Sequence, residues 1–174
     1  MKNMKAVKII LYTIIVLSVV FFATGLIVKE TNYTTEVEIN KPLSETFTLF
    51  NDMSTMKEWI PEVKSIESID EKPGKTGSTY KIIVEDNGQQ IEMQEKVLAY
   101  VTNEKVTLFF DANNMLKTDD YIFRAEGNKT IITHHTKSQS KSYIMSCMFP
   151  YFKGTFKRID QEYLNNFKRF SEKQ

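Results

Sequence analysis

The sequence predicts an α+β domain, a seven-stranded curved antiparallel sheet wrapped around one long C-terminal helix, with a separate transmembrane helix in front. Three observations carry this reading. From 62 to about 138 the chain breaks into strand-like runs joined by short turns, the pattern of an antiparallel meander. Phe152, Phe156, Ile159, Tyr163, Phe167 and Phe170 then recur at steps of 4, 3, 4, 4 and 3, one face of a helix about five turns long. Residues 9–28, "IILYTIIVLSVVFFATGLIV", carry no charge at all.

As a helix that N-terminal run spans about 30 Å, the thickness of a bilayer core. Lys2, Lys5 and Lys8 precede it, and only Lys29, beside Glu30, follows closely. The positive-inside rule therefore predicts a single-pass protein of the cell membrane. Residues 1–8 form a cytoplasmic basic tail, 9–28 a transmembrane signal anchor, 29–32 a tether, and 33–174 an extracytoplasmic domain. The rival reading is a cleaved signal peptide, for which Ala23-Thr24-Gly25 offers small residues at cleavage spacing. The apolar run continues through Leu26, Ile27 and Val28, longer than a usual signal-peptide core, and this favours an uncleaved anchor. No cysteine lies near residue 20, which argues against a lipoprotein anchor.

The chain has 174 residues, 41% hydrophobic and 26% charged, a composition that excludes a disordered chain. Without the three lysines of the tail, residues 29–174 hold 20 basic and 22 acidic residues, a formal charge of −2. No basic block appears, so nothing points to nucleic acid. Cys147 is the only cysteine, which excludes an intrachain disulfide and a cysteine-based zinc cluster. Neither a metal nor a cofactor is expected.

"YTTEVEIN", 33–40, alternates Tyr33, Thr35, Val37 and Ile39 against Glu36 and Glu38, a half-buried strand. Pro42 suits a first helical turn, with Ser44 as a competing N-cap. Leu43, Phe47 and Phe50 follow at helical spacing. Met53, Met56 and Trp59 make a second, shorter stripe that Pro61 ends. The strand runs beyond are "TYKIIVE", "QIEMQEKVLAY", "KVTLFF", "DDYIFRA" and "TIITHHTKS", with "DNG" at 86–88 as a hairpin signal. Ahead of the final helix lies the apolar run "SYIMSCMFPYF" with Pro150 inside it. It reads as a helix start, a kinked first half of the same helix, or a loop at the mouth of a pocket. An antiparallel sheet has one face to cover, and only the long helix is large enough to cover it. A sheet curling around one helix usually leaves room between them.

The order of these strings resembles the START-related superfamily, the helix-grip group that also holds polyketide cyclases and pollen-allergen-like proteins. "VEINKPLSETFTLFND" looks like its first strand, proline-led helix and terminal Asp. "MKEWIPEVKSIE" is similar to its Trp-x-Pro lead into the second strand. "KPGKTGSTYKI" resembles its glycine-bearing turn, and "EGNKTIITHHT" its last strand, with Thr130 at the usual threonine. The likeness covers about residues 33–172. It implies a pocket for a hydrophobic small molecule or lipid. It also makes "LFNDMSTMKEWIPEV" a joint between sheet edges, with Trp59 as its wedge.

The chemistry-bearing candidates are few. His134 and His135 are adjacent in a strand and so face opposite ways. The resemblance places Ile132 inward, which turns His134 in and His135 out, and His134 is read first as a hydrogen-bonded wall residue. Glu95 shares a face with Ile91, Met93 and Val97, costly for a carboxylate unless paired or wet. It is a polar anchor in the cavity, a carboxyl of raised pKa, or a strand-end residue back in water. Tyr121 and Asp119 share a face with Phe123. No nucleophile elbow, phosphate loop, zinc helix or dinucleotide fingerprint occurs, and no catalytic set is assigned. The expected ligand-contacting residues are Tyr80, Met93, Glu95, Phe110, Tyr121, Phe123 and His134 from the sheet and Phe152, Phe156 and Ile159 from the helix. Lys157, Arg158, Asp160, Gln161 and Glu162 are placed on the helix's other faces. The pocket entrance is expected near Met145–Phe152. The functional expectation is a membrane-anchored binder of a hydrophobic molecule. The alternatives are a cyclase- or dehydratase-type enzyme using acid–base groups in the cavity, or an interaction module whose pocket has collapsed.

Overall fold

The computed structural model describes residues 2–86 and 88–174. Met1, in the predicted basic tail, and Asn87, in the predicted turn at 86–88, lie outside the described residues. The first helix, α1 (Lys2–Ile27), contains the uncharged run. It is long and apolar enough to cross a membrane, and a signal sequence near the N-terminus has the same length and composition. Its apolar side chains from Ile9 to Val20 stand away from the rest of the protein. Three residues, 28–30, connect it to the sheet.

β1 (Thr31–Ile39) alternates along its whole length, with Tyr33, Thr35, Val37 and Ile39 buried and Glu36 and Glu38 exposed. α2 (Leu43–Phe50) follows, then a 3-10 helix, Met53–Glu58. Pro42 is the N-cap of α2 rather than a first-turn residue, and Ser44 lies inside the helix without capping it. The missing N–H of Pro42 costs nothing at that place, because helix-start donors have no intrahelical partner. The reversal between the two helices is made by side chains. Asn51 Nδ2 donates to the Phe47 carbonyl at 2.7 Å, and Asp52 accepts from the Ser54 N–H at 3.0 Å.

Six strands then run consecutively: β2 (Val63–Asp70), β3 (Thr79–Asp86), β4 (Gln89–Val101), β5 (Lys105–Ala112), β6 (Met115–Glu126) and β7 (Lys129–Ser140). The sheet order is β1-β7-β6-β5-β4-β3-β2, antiparallel throughout. β1 therefore pairs with the last strand, and α2 with the 3-10 helix carries the chain to the opposite edge. β6 starts four residues before the run "DDYIFRA", because Met115 pairs with Ser140 and the ladder continues from there. Thr130 Oγ1 donates to the Lys41 carbonyl at 2.8 Å and ties β7 to the corner after β1.

α3 (Tyr143–Ser171) is one continuous helix that takes in the apolar run from Tyr143 onward, with Ser142 as its N-cap and Pro150 inside it. The Pro150 ring leaves the Ser146 carbonyl without its helical N–H. The second half of α3 covers the sheet. The first half packs on the end of α1 instead, where Tyr143 faces Phe22 and Tyr151 faces Phe21. The run "SYIMSCMFPYF" is thus explained by a helix–helix contact, not by a pocket mouth.

The core gathers at one end of the sheet, where Val37, Ile39, Val106, Phe123 and Ile132 meet Phe47, Phe50, Trp59, Leu164 and Phe167. Trp59 is central to it. Its ring packs on Phe50 and Phe167 with centroids 5.4 Å and 5.1 Å away, and its carbonyl accepts from Asn166 Nδ2 at 3.1 Å. The joint is therefore locked to α3 by both packing and a hydrogen bond. Trp59→Ala should destabilise the domain by about 3–5 kcal/mol, the usual cost of deleting a buried large aromatic. Denaturant unfolding of the two proteins measures this; an unchanged midpoint would deny Trp59 its structural role.

Candidate functional site

The sheet's inner face and the second half of α3 enclose a cavity of about 580 Å³. Period-two alternation selects the strand side chains that reach it. β3 supplies Tyr80, Ile82 and Val84; β4 supplies Met93, Glu95 and Val97; β5 supplies Val106, Leu108 and Phe110. From β6 come Met115, Lys117, Asp119 and Tyr121, and from α3 come Ile159, Asp160 and Tyr163, with Arg158 and Glu162 beside them. The joint closes one side with Phe50, Met53, Met56, Trp59 and Pro61.

Six of the ten expected contact residues line this space: Tyr80, Met93, Glu95, Phe110, Tyr121 and Ile159. Four do not. Phe123 points inward as expected, but its row is filled by Phe47 and Phe50, at 5.0 Å and 5.2 Å, so it is core. His134 is buried behind Tyr121, whose ring stacks on it at 4.1 Å. Phe152 is 43% exposed, and Phe156 packs on Phe149 at 5.4 Å. Both lie where α3 has run past the sheet. The expected entrance at Met145–Phe152 fails for the same reason: none of those residues borders the cavity.

The sheet register builds the polar part of the site in three adjacent rows. Tyr33, Thr136 and Asp119 sit opposite one another across β1, β7 and β6, and Thr35, His134 and Tyr121 form the next row. Lys117, opposite Ser138, begins the row on the other side. Asp160 of α3 descends onto these rows. Lys117 Nζ meets Asp160 Oδ1 and Oδ2 at 3.0 Å and 2.9 Å and Asp119 Oδ2 at 3.0 Å. Tyr33 donates its hydroxyl hydrogen to Asp160 Oδ2 at 2.8 Å. His134 Nε2 lies 2.8 Å from Asp119 Oδ1. An ionised carboxylate only accepts, so Nε2 carries a proton and donates. Thr35 Oγ1 is 3.2 Å from Nδ1 on the other side of the ring, and Thr136 Oγ1 lies within reach of both carboxylates, 2.9 Å from Asp119 and 3.2 Å from Asp160.

Burial and charge oppose one another here. Burial pushes the Asp119 carboxyl up, but the Lys117 ammonium and then the His134 hydrogen bond outweigh it and hold the group at about 2. Burial pulls the Lys117 ammonium down, and the Asp119 and Asp160 carboxylates more than offset this, so it stays above its ordinary value. Asp119, His134 and Asp160 bring three ligand-type atoms within 4.8 Å of one another, a spacing that a metal ion tolerates. Lys117 Nζ already stands against both carboxylates. A dication would have to displace that ammonium.

Glu95 is the opposite case. It is 1% exposed, and neither of its carboxyl oxygens meets a hydrogen-bond partner among the described residues. Its neighbours across the sheet are Tyr80 and Phe110. Burial first, and the Asp119 charge second, push its carboxyl up to about 7. The cavity therefore holds a carboxyl that keeps its proton well above the ordinary carboxylate range, between the aromatic neighbours Tyr80 and Phe110.

Two residues of the cluster, Lys117 and Asp160, are not among the side chains that the sequence turns toward the cavity. The signal for Lys117 was present, since 117, 119, 121 and 123 alternate on one face of β6. The helical spacing puts Asp160 on an outer face, and the structure buries it. The charges that pair it lie on another element and leave no local mark.

No curated protein sequence matches the chain. Among solved structures, the START superfamily protein from Mycobacterium smegmatis is similar with a TM-score of 0.69 and 14% identity, over 82% of this chain and 97% of that one. The protein TTHA0849 from Thermus thermophilus is similar with a TM-score of 0.66 and 13% identity, over 80% of this chain and 96% of that one. The di-domain ARO/CYC StfQ from the steffimycin biosynthetic pathway is similar with a TM-score of 0.67 and 10% identity, over 83% of this chain and 52% of that one. At these identities the likeness shows the fold, a helix-grip fold with the long helix on an open seven-stranded sheet. The model of the family described as "Polyketide cyclase / dehydrase and lipid transport" matches residues 30–135, most of the sheet that walls the cavity. The chain belongs to the polyketide cyclase / dehydrase and lipid transport family.

Proposed function

We propose that this chain is a membrane-anchored protein that binds a hydrophobic small molecule or lipid in the cavity between the sheet and α3. The observation that carries the reading is the cavity itself, about 580 Å³ and walled mainly by apolar side chains, the size and character of small-molecule sites. A collapsed interior would have favoured an interaction module. Tyr80, Met93, Phe110, Tyr121 and Ile159 are the proposed contacts, with Glu95 as the polar group that orients the ligand. The lipid-transport description of the family supports this class of ligand. In the proposal α1 spans the cell membrane, its N-terminus is cytoplasmic, and residues 33–174 lie outside beside a lipid source. Mass spectrometry of molecules that co-purify with the full chain tests it. A stoichiometric apolar species is expected, and its absence from a folded preparation would remove the reading.

A second reading, a cyclase- or dehydratase-type enzyme, has one observation in its favour. The Glu95 carboxyl, raised to about 7, shares the cavity with the Tyr121 hydroxyl. A group poised near neutral pH is suited to giving and taking protons.

The cavity reading predicts the effect of charge on its helix wall. Ile159→Arg should abolish binding of an apolar fluorescent dye, whereas Lys157→Arg, on an exposed position, should leave both dye binding and stability unchanged. Equal binding by the two variants would place the dye elsewhere.

Glu95 predicts a pH dependence of stability. Its carboxyl rises from the ordinary 4.5 to about 7 on folding. The unfolded chain thus releases the proton first, and stability falls as pH climbs through that interval and levels off above it. Glu95→Gln removes the effect. The variant should match the parent near pH ~4 and exceed it by roughly 3 kcal/mol near pH ~8. Unfolding midpoints across that range check it; parallel curves would mean that Glu95 ionises freely in the folded state.

A further inference from the structure

α3 opens with residues 143–152, "YIMSCMFPYF", without a charge, between Lys141 and Lys153. Nothing in the cavity uses this stretch. Three of its side chains, one helical turn apart, meet α1. The Tyr143 ring stacks on Phe22 with centroids 6.3 Å apart and planes 13° apart, and its hydroxyl donates to the Phe22 carbonyl at 2.7 Å. The Tyr151 ring stacks on Phe21 at 6.3 Å and 14°, and its hydroxyl lies 2.9 Å from Thr24 Oγ1. Cys147 sits between them on Gly25, where a Cβ would overlap its Sγ. Only glycine lets the two helices approach this closely.

These contacts fix how the helices cross. Tyr143 and Tyr151 stand about 12 Å apart along α3, yet both reach about one turn of α1, Phe21–Thr24. The two axes therefore cross steeply and do not run side by side. The contact lies within about 10 Å of the C-terminal end of the run 9–28. On a helix that spans a bilayer, this is the outer boundary between acyl chains and headgroups. A helix crossing there lies in the plane of the membrane. The next stripe of α3 suits that place, because Ile144 is 60% exposed and Phe152 43% exposed, with Met148 between them. Tyr, Phe and Ile are the side chains that interfacial helices bury.

We propose that Tyr143–Phe152 is a second membrane element, an interfacial helix seated in the outer leaflet beside α1. This rests on the reading of α1 as a membrane-spanning anchor. It sets the posture of the domain, with the start of α3 against the lipid. The β5–β6 turn lies at the same level, since the Asn114 carbonyl accepts from the Lys141 N–H at 2.9 Å and from Ser140 Oγ at 3.2 Å. Met115, next to that turn, lines the cavity. The Met115 end of the cavity is thus the end turned toward the membrane.

Spin labels on the full chain test this in vesicles of phosphatidylcholine and phosphatidylglycerol. In a Cys147→Ser background, labels are placed by Ile144→Cys, Phe152→Cys, Val16→Cys and Lys129→Cys. Accessibility to oxygen reports lipid, and accessibility to a water-soluble nickel chelate reports solvent. Labels at 16, 144 and 152 should favour oxygen, and the label at 129 should favour nickel. Nickel-accessible 144 and 152 with a lipid-buried 16 would overturn the interfacial helix and leave the anchor standing. A nickel-accessible 16 would overturn the anchor, and the interfacial helix with it. Protection of 144 and 152 from both reagents would mean that protein, such as a second copy, covers the face, and would also overturn it. Gly25→Leu should turn 144 and 152 toward nickel while 16 stays in lipid; no change would show that the crossing does not seat the helix. Phe152→Trp in the native background gives a check without labels, since its fluorescence should be quenched by lipids with brominated chains and that of buried Trp59 should not.

Discussion

One ion cluster decides where α3 sits. Lys117 rises from the sheet, Asp160 descends from the helix, and Asp119 stands beside Lys117 on the same strand. None of the three charges would survive burial alone, because desolvation of an unpaired ion costs several kcal/mol. Together they neutralise most of one another, Tyr33 adds a donor to Asp160, and Thr136 and His134 supply donors to the Asp119 oxygen that Lys117 does not reach. The rotation of α3 about its axis follows, since Asp160 must face the sheet. Ile159 and Tyr163 then fall on the cavity side. The cluster also has a fixed height. An all-apolar helix face would sink onto the sheet until its side chains interlocked; a lysine side chain bridging to a helix carboxylate holds the two layers apart and keeps the neighbouring space open.

Much of this was legible in the sequence, and the limit has a physical origin. Alternation in β1, β3, β4 and β5 identified the inward residues, because a strand has only two faces and one of them must be apolar. Glu95 and Tyr121 stood out as polar residues on such faces. Lys117 and Asp160 did not, because each looks like a solvated surface charge until its partner is known, and that partner lies 43 residues away. The helical spacing of Phe152 and Phe156 continues that of Ile159 and Tyr163. What differs is the surface opposite, since α3 is longer than the sheet it covers, and periodicity says nothing about where the sheet ends. Phe123 shows the same limit along a strand: facing inward does not say whether the space in front is already filled.

The cavity thus has two kinds of polar group. On the β6 and β7 side the polar atoms are paired with one another in a closed set. On β4, Glu95 has burial without partners among the described residues, and a buried carboxyl without a hydrogen bond carries a penalty of about 1–3 kcal/mol. The fold tolerates that cost for both Glu95 oxygens on the cavity wall, between the aromatic neighbours Tyr80 and Phe110. Paired residues make the frame, and the Glu95 carboxyl remains available to whatever enters.

The pairing of β1 with β7 has a consequence for how the chain is made. Val37 meets Ile132, and Tyr33 meets Thr136, so the first strand finds its sheet neighbour about a hundred residues later. At a synthesis rate of about 5–20 residues per second, β1 waits roughly 5–20 s with both edges open. Contacts this remote in sequence also slow folding, since loop closure must precede the gain. Glu36 and Glu38 on its outer face, and β7 arriving from a continuous meander of hairpins, keep that interval from ending in the wrong partner. The strand nearest the N-terminal helix is thus the last strand to be paired, and completion of the sheet is a test that all seven strands have been delivered before α3 covers them.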